Sequence, residues 1–510
     1  MERLCYDVLE QNGYDGYLLK DAPEKVLQFG DGNFLRAFTD CFFDIANEKA
    51  GWNGKIVLVQ PNSPDPQRAD SFNEQDGLYT LYLRGLAGGQ KVEERRVISA
   101  VSRCLNARRD FAEILNVGCS DELEYIVSNT TEAGIVYDPG VKMDDMPPAS
   151  FPGKLTRVLY ERWKAGKKGL VILSCELIDS NGDELLRCVK LHARDWNLEE
   201  GFLNWLDKQN RFCNTLVDRV VTGAIRNPQE LDETEAENGY TDAHLVVGEP
   251  FAFWAIEGPK ALKEQLPFKA AGLADMVFVT KDVTLYKKRK VRILNGSHTG
   301  VVLGAWLAGF HIVREYMNDE VYRAFHRKLV YEEVIPLLPL DKDDLISFGQ
   351  AVEERYANPF TDHQLLAISL NSTAKYAARN LPSLREYLQQ TGRLPDCMTM
   401  GLAAYIAFYG CFVAGRNEEG LCCARPDGTA YTVRDDGWVL DFYYEHRADS
   451  PEELVHRVLS CEAMWGSDLT VLADGITGQS LEEKVCICLK KILKDGAKSA
   501  FAGCLQNSPA

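Results

Sequence analysis

Apolar residues follow two rhythms along this chain. Up to about residue 275, short, mainly apolar runs at 25–29, 55–60, 97–105, 124–127, 169–175 and 244–247 alternate with helically spaced stretches such as 111–117, 154–164 and 202–210. Runs that are apolar on both faces predict strands buried between helical layers, and strands alternating with helices predict a doubly wound parallel sheet. Beyond Asp282 long helical patterns take over, at 301–315, 320–335, 363–380, 402–415, 451–459 and 481–495. The expected class is α/β: a Rossmann-type doubly wound sheet with additions over 1–280, then a mainly α-helical domain over 281–510.

Length and composition agree with two or three packed domains. The chain has 510 residues, 45% of them hydrophobic and 26% charged, as in globular enzymes and binding proteins. Its 57 basic and 75 acidic residues give a net charge of −18, which speaks against nucleic acid and anionic membrane as partners. An anionic ligand then needs a local basic pocket. The 15 cysteines show no CxxC repeat and no Cys/His ligand spacing, which reads as reduced thiols in a cytoplasmic protein without a bound metal. The N-terminus has neither a basic nor an apolar leader region. Residues 397–415 carry no charge and approach membrane-spanning length. Yet Gly401, Ala403, Ala404, Ala407, Gly410 and Ala414 make this stretch rich in small residues, so a helix inside a core is expected. Oligomeric state is left open.

Two stretches carry candidate chemistry. The run 25–29 ends in Phe29-Gly30-Asp31-Gly32-Asn33-Phe34-Leu35-Arg36 before a helical pattern. This strand, glycine turn and helix is the arrangement that cradles a pyrophosphate, although Leu35 stands where a third glycine is usual. The next strand ends in Gln60, with no acid there to bind a ribose diol; NAD is the expected cofactor, NADH acting as reductant, and NADP stays open. Polar residues Asn129, Thr130, Thr131 and Glu132 crowd the end of run 124–127, the edge where such sheets bind ligands. The second stretch is Lys290-Val-Arg-Ile-Leu-Asn295-Gly-Ser-His298, preceded by Lys287, Lys288 and Arg289. Asn295 and His298 share a helical face, whereas Lys290 and Asn295 lie about 500° apart on a regular helix. An ammonium, a carboxamide and an imidazole that converge suit proton transfer at a carbonyl or carbinol oxygen. Over nine residues alone, ordinary surface polarity reads the same way.

The order of motifs raises the second reading. Gly30-x-Gly32-x-Phe34-x-Arg36, Thr130-Thr-Glu132, Ser174-Cys175, Asp218-Arg219, Glu249-Pro-Phe251 and Lys290-x4-Asn295-x2-His298 together resemble the polyol-specific long-chain dehydrogenase/reductase family, which includes mannitol dehydrogenase. The resemblance covers nearly the whole chain. It implies a metal-independent, NAD(P)-dependent oxidoreductase in which Lys290 is the general acid/base, Asn295 donates to the oxyanion and His298 orients the substrate. A lysine works this way near neutral pH where desolvation or nearby cations favour its neutral form, and Lys288 and Arg289 are the neighbours at hand. Lys375 and Asp218 match substrate-binding positions of the family. The family's second oxyanion asparagine is replaced by Leu177, after Glu176, with Asn181 the nearest substitute. A carboxylate three residues before the family's lysine is Lys287 here, and the arginine eight residues before Lys375 is Ala367. These departures imply a sugar-acid substrate, a keto-uronate and aldonate pair, with Lys287 facing its carboxylate. The resemblance implies tagaturonate and altronate first, with the epimeric pair fructuronate and mannonate as runner-up; mannitol or arabinitol oxidation ranks third, and a non-catalytic dinucleotide-binding protein is the rival of another class.

Overall fold

A computed structural model describes residues 1–506. The chain divides into two compact units: Met1–Arg84 with Lys91–Val283, and Gly85–Gln90 with Thr284–Ala510. The division thus falls at Val283, three residues beyond the expected 280, and residues 85–90 group with the second unit.

The first unit holds strands β1 (Glu24–Phe29), β2 (Lys55–Gln60), β3 (Tyr79–Ala87), β4 (Gln90–Ile98), β5 (Val101–Asn106), β6 (Tyr125–Ser128), β7 (Val171–Ser174), β8 (Arg211–Cys213), β9 (Thr215–Asp218), β10 (Val221–Gly223), β11 (Val246–Gly248), β12 (Phe253–Glu257) and β13 (Val277–Thr280). Six of them form one sheet in the order β5-β2-β1-β6-β7-β8, every described pairing parallel. Side chains alternate between its faces. Val26, Ile56, Leu58, Val127 and Leu173 enter one core, while Leu27, Phe29, Val57, Val59 and Ile172 enter the other. Both faces are covered, which is why these strands read as mainly apolar runs. Smaller sheets, β10-β11-β3-β4 and β13-β12-β9, are the additions.

The run 97–105 is two strands rather than one. β4 and β5 belong to different sheets, and the chain turns between them at Ser99. There the buried Asp44 carboxylate accepts from the Ser99 amide at 2.8 Å, and the Ser99 carbonyl accepts from Lys55 at 2.7 Å. These side chains take the backbone groups that a continuous strand would pair.

The second unit is mainly helical, with a three-stranded antiparallel sheet of β14 (Val413–Asn417), β15 (Gly420–Ala424) and β16 (Ala430–Val433). Its central helix, Gly296–Leu307, is buried nearly all round and packs on helix Asp396–Ile406. A Cβ on Gly401 would stand 2.7 Å from the Gly300 carbonyl oxygen, so only glycine lets these backbones approach so closely. The uncharged stretch 397–415 is not one helix: it continues as a π-helical segment, Ala407–Cys411, and then enters β14. No helix among the described residues is long and apolar enough to cross a membrane. The pattern at 301–315 also breaks. Gly309 takes φ +104 after Leu307, and a new helix runs Val313–Asn318. All fifteen cysteines are free thiols.

Candidate active site

In the first unit the candidate cofactor residues gather where the strand order reverses, between β1 and β6, the edge at which open α/β sheets take ligands. Gly30 has φ +132, and a Cβ there would meet Leu35 Cδ1 at 3.0 Å and the Asn129 carbonyl oxygen at 3.2 Å. Phe29 is buried in the strand beneath it. Gly32 caps the short helix Asn33–Arg36, with nothing within 4 Å of where a Cβ would stand. This open backbone at a strand-to-helix turn is the kind of cradle that a pyrophosphate occupies. Phe34 stacks on Phe38 at 4.9 Å. At the end of β6, Thr131 has φ +74, a strained value for a β-branched residue. The 3-10 turn Glu132–Gly134 follows; the Glu132 side chain lies outside the described residues.

Three expectations change here. Arg36 is buried and its guanidinium is turned to the protein, donating to Asp31 O at 3.2 Å, to Asn33 Oδ1 at 2.5 Å and to the His244 carbonyl. It therefore shapes the glycine turn and occupies the Asn33 carboxamide oxygen. Gln60 is also buried, donating to Asp31 Oδ2 at 3.2 Å and accepting from Asn106 at 3.3 Å. The Asp31 carboxylate, carried by the glycine turn, thus lies beside the end of β2, where Arg68 also pairs with it at 2.5 Å. Asn181 offers no donor to a substrate. Its Nδ2 is bonded to the carbonyls of Ser174, Glu176 and Thr215, and its Oδ1 accepts from Gly182 N and Thr215 N, so it ties β7 to β9. Glu176 braces the same edge: its carboxylate accepts from Thr130 N at 3.1 Å and Ser128 Oγ at 3.2 Å, and burial pushes its pKa up. Leu177 is exposed and has no donor to give. Asp218 is buried at the end of β9, opposite Phe253.

In the second unit, helix Thr284–Arg289 passes into a π-helical segment, Lys290–Asn295, and on into Gly296–Leu307. The i→i+5 register of a π turn stacks residue i under residue i+5. Lys290 and Asn295, out of line on a regular helix, therefore share a face. Such segments recur at functional sites. The Leu294 carbonyl within it accepts from the Tyr356 hydroxyl at 2.6 Å and from Ser297 Oγ at 3.1 Å, while Asn380 Nδ2 donates to the Gly296 carbonyl at 2.9 Å. Lys290 and Asn295 are half-buried, and His298 is buried one turn further on.

His298 stacks on Tyr356, ring centroids 3.9 Å apart, with His363 edge-on at 5.5 Å. Its Nδ1 is buried without a hydrogen-bond partner among the described residues. Burial, and then His363, His326, Arg355 and Arg379, push its pKa well below 6.5. The ring is thus neutral at physiological pH, able to donate from one nitrogen and accept at the other.

Three basic residues around Lys290 are engaged. Lys288 and Arg292 pair with Glu386 at 3.1 and 3.2 Å, and Arg289 makes two 2.7 Å bonds to Asp344 while lying 4.2 Å over the Phe348 ring. Neither Lys288 nor Arg289 thus serves as the bare neighbouring cation expected. Lys287 is half-buried. Lys375 lies on helix Ser372–Arg379, which packs against Gly296–Leu307, and donates to the Ile368 carbonyl at 2.9 Å. Residues missed by sequence reasoning are Tyr356, Asn380 and Arg379, which donates to Thr299 Oγ1 at 3.2 Å. Arg379 had a legible signal, one helical turn after Lys375; the other two had none. Among the described residues no three His, Cys, Asp or Glu side chains cluster as a metal site.

Comparison with known proteins matches this division. The family model of the mannitol dehydrogenase Rossmann domain matches residues 24–270, and that of the mannitol dehydrogenase C-terminal domain matches 282–479. An altronate oxidoreductase of Klebsiella pneumoniae is 42% identical over 489 residues, 94% of this chain and 96% of the relative. One from Yersinia enterocolitica is 42% identical over 494 residues, with the same coverages. Among solved structures, a D-sorbitol dehydrogenase in substrate-free form superposes with a TM-score of 0.76 at 21% identity, covering 94% of this chain and 95% of that one. Mannitol 2-dehydrogenase of Pseudomonas fluorescens, in a ternary complex with NAD and D-mannitol, gives 0.67 at 23%, covering 99% and 100%. These two likenesses speak for the fold. With both units matched in order and such identity to curated relatives along nearly its whole length, the chain belongs to the mannitol dehydrogenase family.

Proposed function

We propose that this protein is an NAD-dependent oxidoreductase acting on a CH–OH group, interconverting tagaturonate and altronate. The observation that carries this reading is the 42% identity, along nearly the full length of both chains, to proteins named altronate oxidoreductase. The Lys290 segment supplies chemistry that suits it.

Gly30, Gly32, Asn129 and Thr130 would hold the dinucleotide at the β1/β6 edge. NAD, when bound, supplies or accepts the hydride at the carbinol carbon. In the reducing direction the Lys290 ammonium gives its proton to the ketone oxygen, and solvent reprotonates the amine; in oxidation the amine takes the hydroxyl proton. Asn295 donates to that oxygen as negative charge develops, a contribution typically worth about 2.7–4 kcal/mol. Neutral His298 holds a neighbouring hydroxyl. Lys375 and Asp218 bind further substrate oxygens, and Lys287 adds positive charge beside the segment. Because an ammonium already stands opposite the developing charge, the scheme draws on no metal ion.

The test is NADH absorbance followed with tagaturonate, fructuronate and fructose in parallel, repeated with NADPH. Consumption of NADH with tagaturonate ahead of the others is expected. Turnover of fructose in preference to both uronates, or of nothing at all, would overturn the reading.

A further inference from the structure

Buried guanidinium groups in this protein are well supplied with acceptors. Arg162 donates to four backbone carbonyls, Arg219 to three, and Arg292 to Ser383 and Glu386. Arg379 differs. It is half-buried, and of its five N–H groups one is engaged, by Thr299 Oγ1; no carboxylate of the described residues pairs with it. Lys375, one turn earlier on the same helix face, is half-buried too, and its bond goes to a carbonyl. Asp435, the acid whose charge reaches Lys375, is held by Thr373 N, Thr373 Oγ1 and Tyr409. Burial disfavours the charge on both cations.

Two like charges four residues apart destabilise a helix, and partial burial deepens the cost. Among the described residues no carboxylate forms an ion pair with either cation. Arg379 also reaches the candidate site. Thr299, which Arg379 touches, follows His298 and donates to the Asn295 carbonyl at 3.0 Å, and the Arg379 charge is close enough to depress the His298 pKa.

We propose that Arg379 and Lys375 form an anion subsite that takes the carboxylate of the substrate, Arg379 as a bidentate fork and Lys375 as a point charge. The proposal rests on the keto-uronate reading above and names the residues that select for it. It moves the neutralising role from Lys287 to the helix that packs beside His298.

The experiment compares full-length wild type, Arg379→Ala, Arg379→Lys, Lys375→Met and Thr299→Val. The readouts are KM and kcat for tagaturonate and fructuronate, Ki for altronate, KM for NADH and the melting temperature. Arg379→Ala is expected to raise KM for the better keto-uronate and Ki for altronate by about 10- to 100-fold, with KM for NADH unchanged. Arg379→Lys should recover part of that loss, and Thr299→Val should shift KM by less than about threefold. Unaltered KM and Ki in Arg379→Ala would overturn the subsite. So would a Thr299→Val variant that reproduces the whole loss, since Arg379 would then be only a brace. If Arg379→Ala does not fold, Arg379→Lys decides: wild-type KM and Ki there refute the bidentate fork. A wild type that consumes NADH with neither keto-uronate defeats the substrate class itself, before any variant is read.

Discussion

His298 and Tyr356 lie ring on ring, 3.9 Å between centroids and 27° between planes, while the Tyr356 hydroxyl bonds the Leu294 carbonyl at 2.6 Å. One tyrosine therefore fixes the imidazole by its face and the π-helical segment by its oxygen. Tyr356→Phe keeps the stack and loses the bond to Leu294. Its expected cost is about 0.5–1.5 kcal/mol, read as a roughly three- to tenfold fall in kcat/KM with KM for NADH unchanged. Tyr356→Ala also leaves a cavity and should destabilise by about 3–5 kcal/mol. Equal kinetic losses from the two variants would show that the hydroxyl, and not the ring, carries the effect.

His298 is held neutral because burial disfavours its charged form. A pH profile of kcat/KM should accordingly contain no step near 6.5 that vanishes in His298→Asn, although the variant is slower overall. A wild-type step in that region that the variant lacks would mean that the ring titrates and takes part as an acid.

The shared face of Lys290 and Asn295 makes a sharper demand. Lys290→Ala should cut kcat by about 10²–10⁴, the usual range for a general acid or base. Asn295→Ala should cut it by about 10²–10³. Because both act on one oxygen, the double variant should fall short of the product of the two losses. NADH binding, followed by fluorescence, should survive in all three. Strict multiplicativity would show that the two side chains serve separate events.

The glycines of the β1 turn separate fold from cofactor. Gly30→Ala forces a side chain into φ +132 and against the Asn129 carbonyl. It should lower stability by about 1–3 kcal/mol. Gly32 sits at φ −68 with open space around it, so Gly32→Ala should melt within about 0.5 kcal/mol of wild type. If a pyrophosphate approaches this backbone, the same methyl raises KM for NADH severalfold. A Gly32→Ala enzyme with normal stability and normal KM would move the phosphates elsewhere.

The sheet was legible because its strands are covered on both faces and so read as mainly apolar runs; β2, buried along its whole length, is the clearest case. What stayed hidden depends on partners distant in sequence. The π turn at Lys290 is held by Tyr356, 62 residues further along in its bond to Leu294, and no local pattern announces a widened helix. Gln60 and Asn181 looked available as carboxamides because nothing nearby shows that Asp31, Asn106 and Thr215 occupy them. The break at Ser99 follows from a carboxylate 55 residues away. The strand β14 replaced an expected helical end because its pairing with β15 outweighs the propensity of the small residues before it.

A buried histidine outside the chemistry offers a test by stability alone. His326 is fully buried, neither of its ring nitrogens has a hydrogen-bond partner among the described residues, and it stands edge-on to Tyr356 at 5.4 Å. Burial first, then Arg327, lowers its pKa to about 4. Above about pH 6.5 both folded and unfolded rings are neutral and the group does not affect stability. As pH falls below that value the unfolded chain takes up a proton that the folded chain refuses, so stability drops by up to about 1.4 kcal/mol per pH unit, down to about pH 4. Asp40 and Glu333, which burial raises to about 7, act in the opposite sense, but they are common to wild type and variant. His326→Phe keeps the ring and removes the titration. Its advantage in urea midpoint over wild type should therefore be constant from pH 7 to 8 and grow steadily from pH 6 to 5. A difference that stays flat across the whole range would show that the folded chain protonates His326 as readily as the unfolded one.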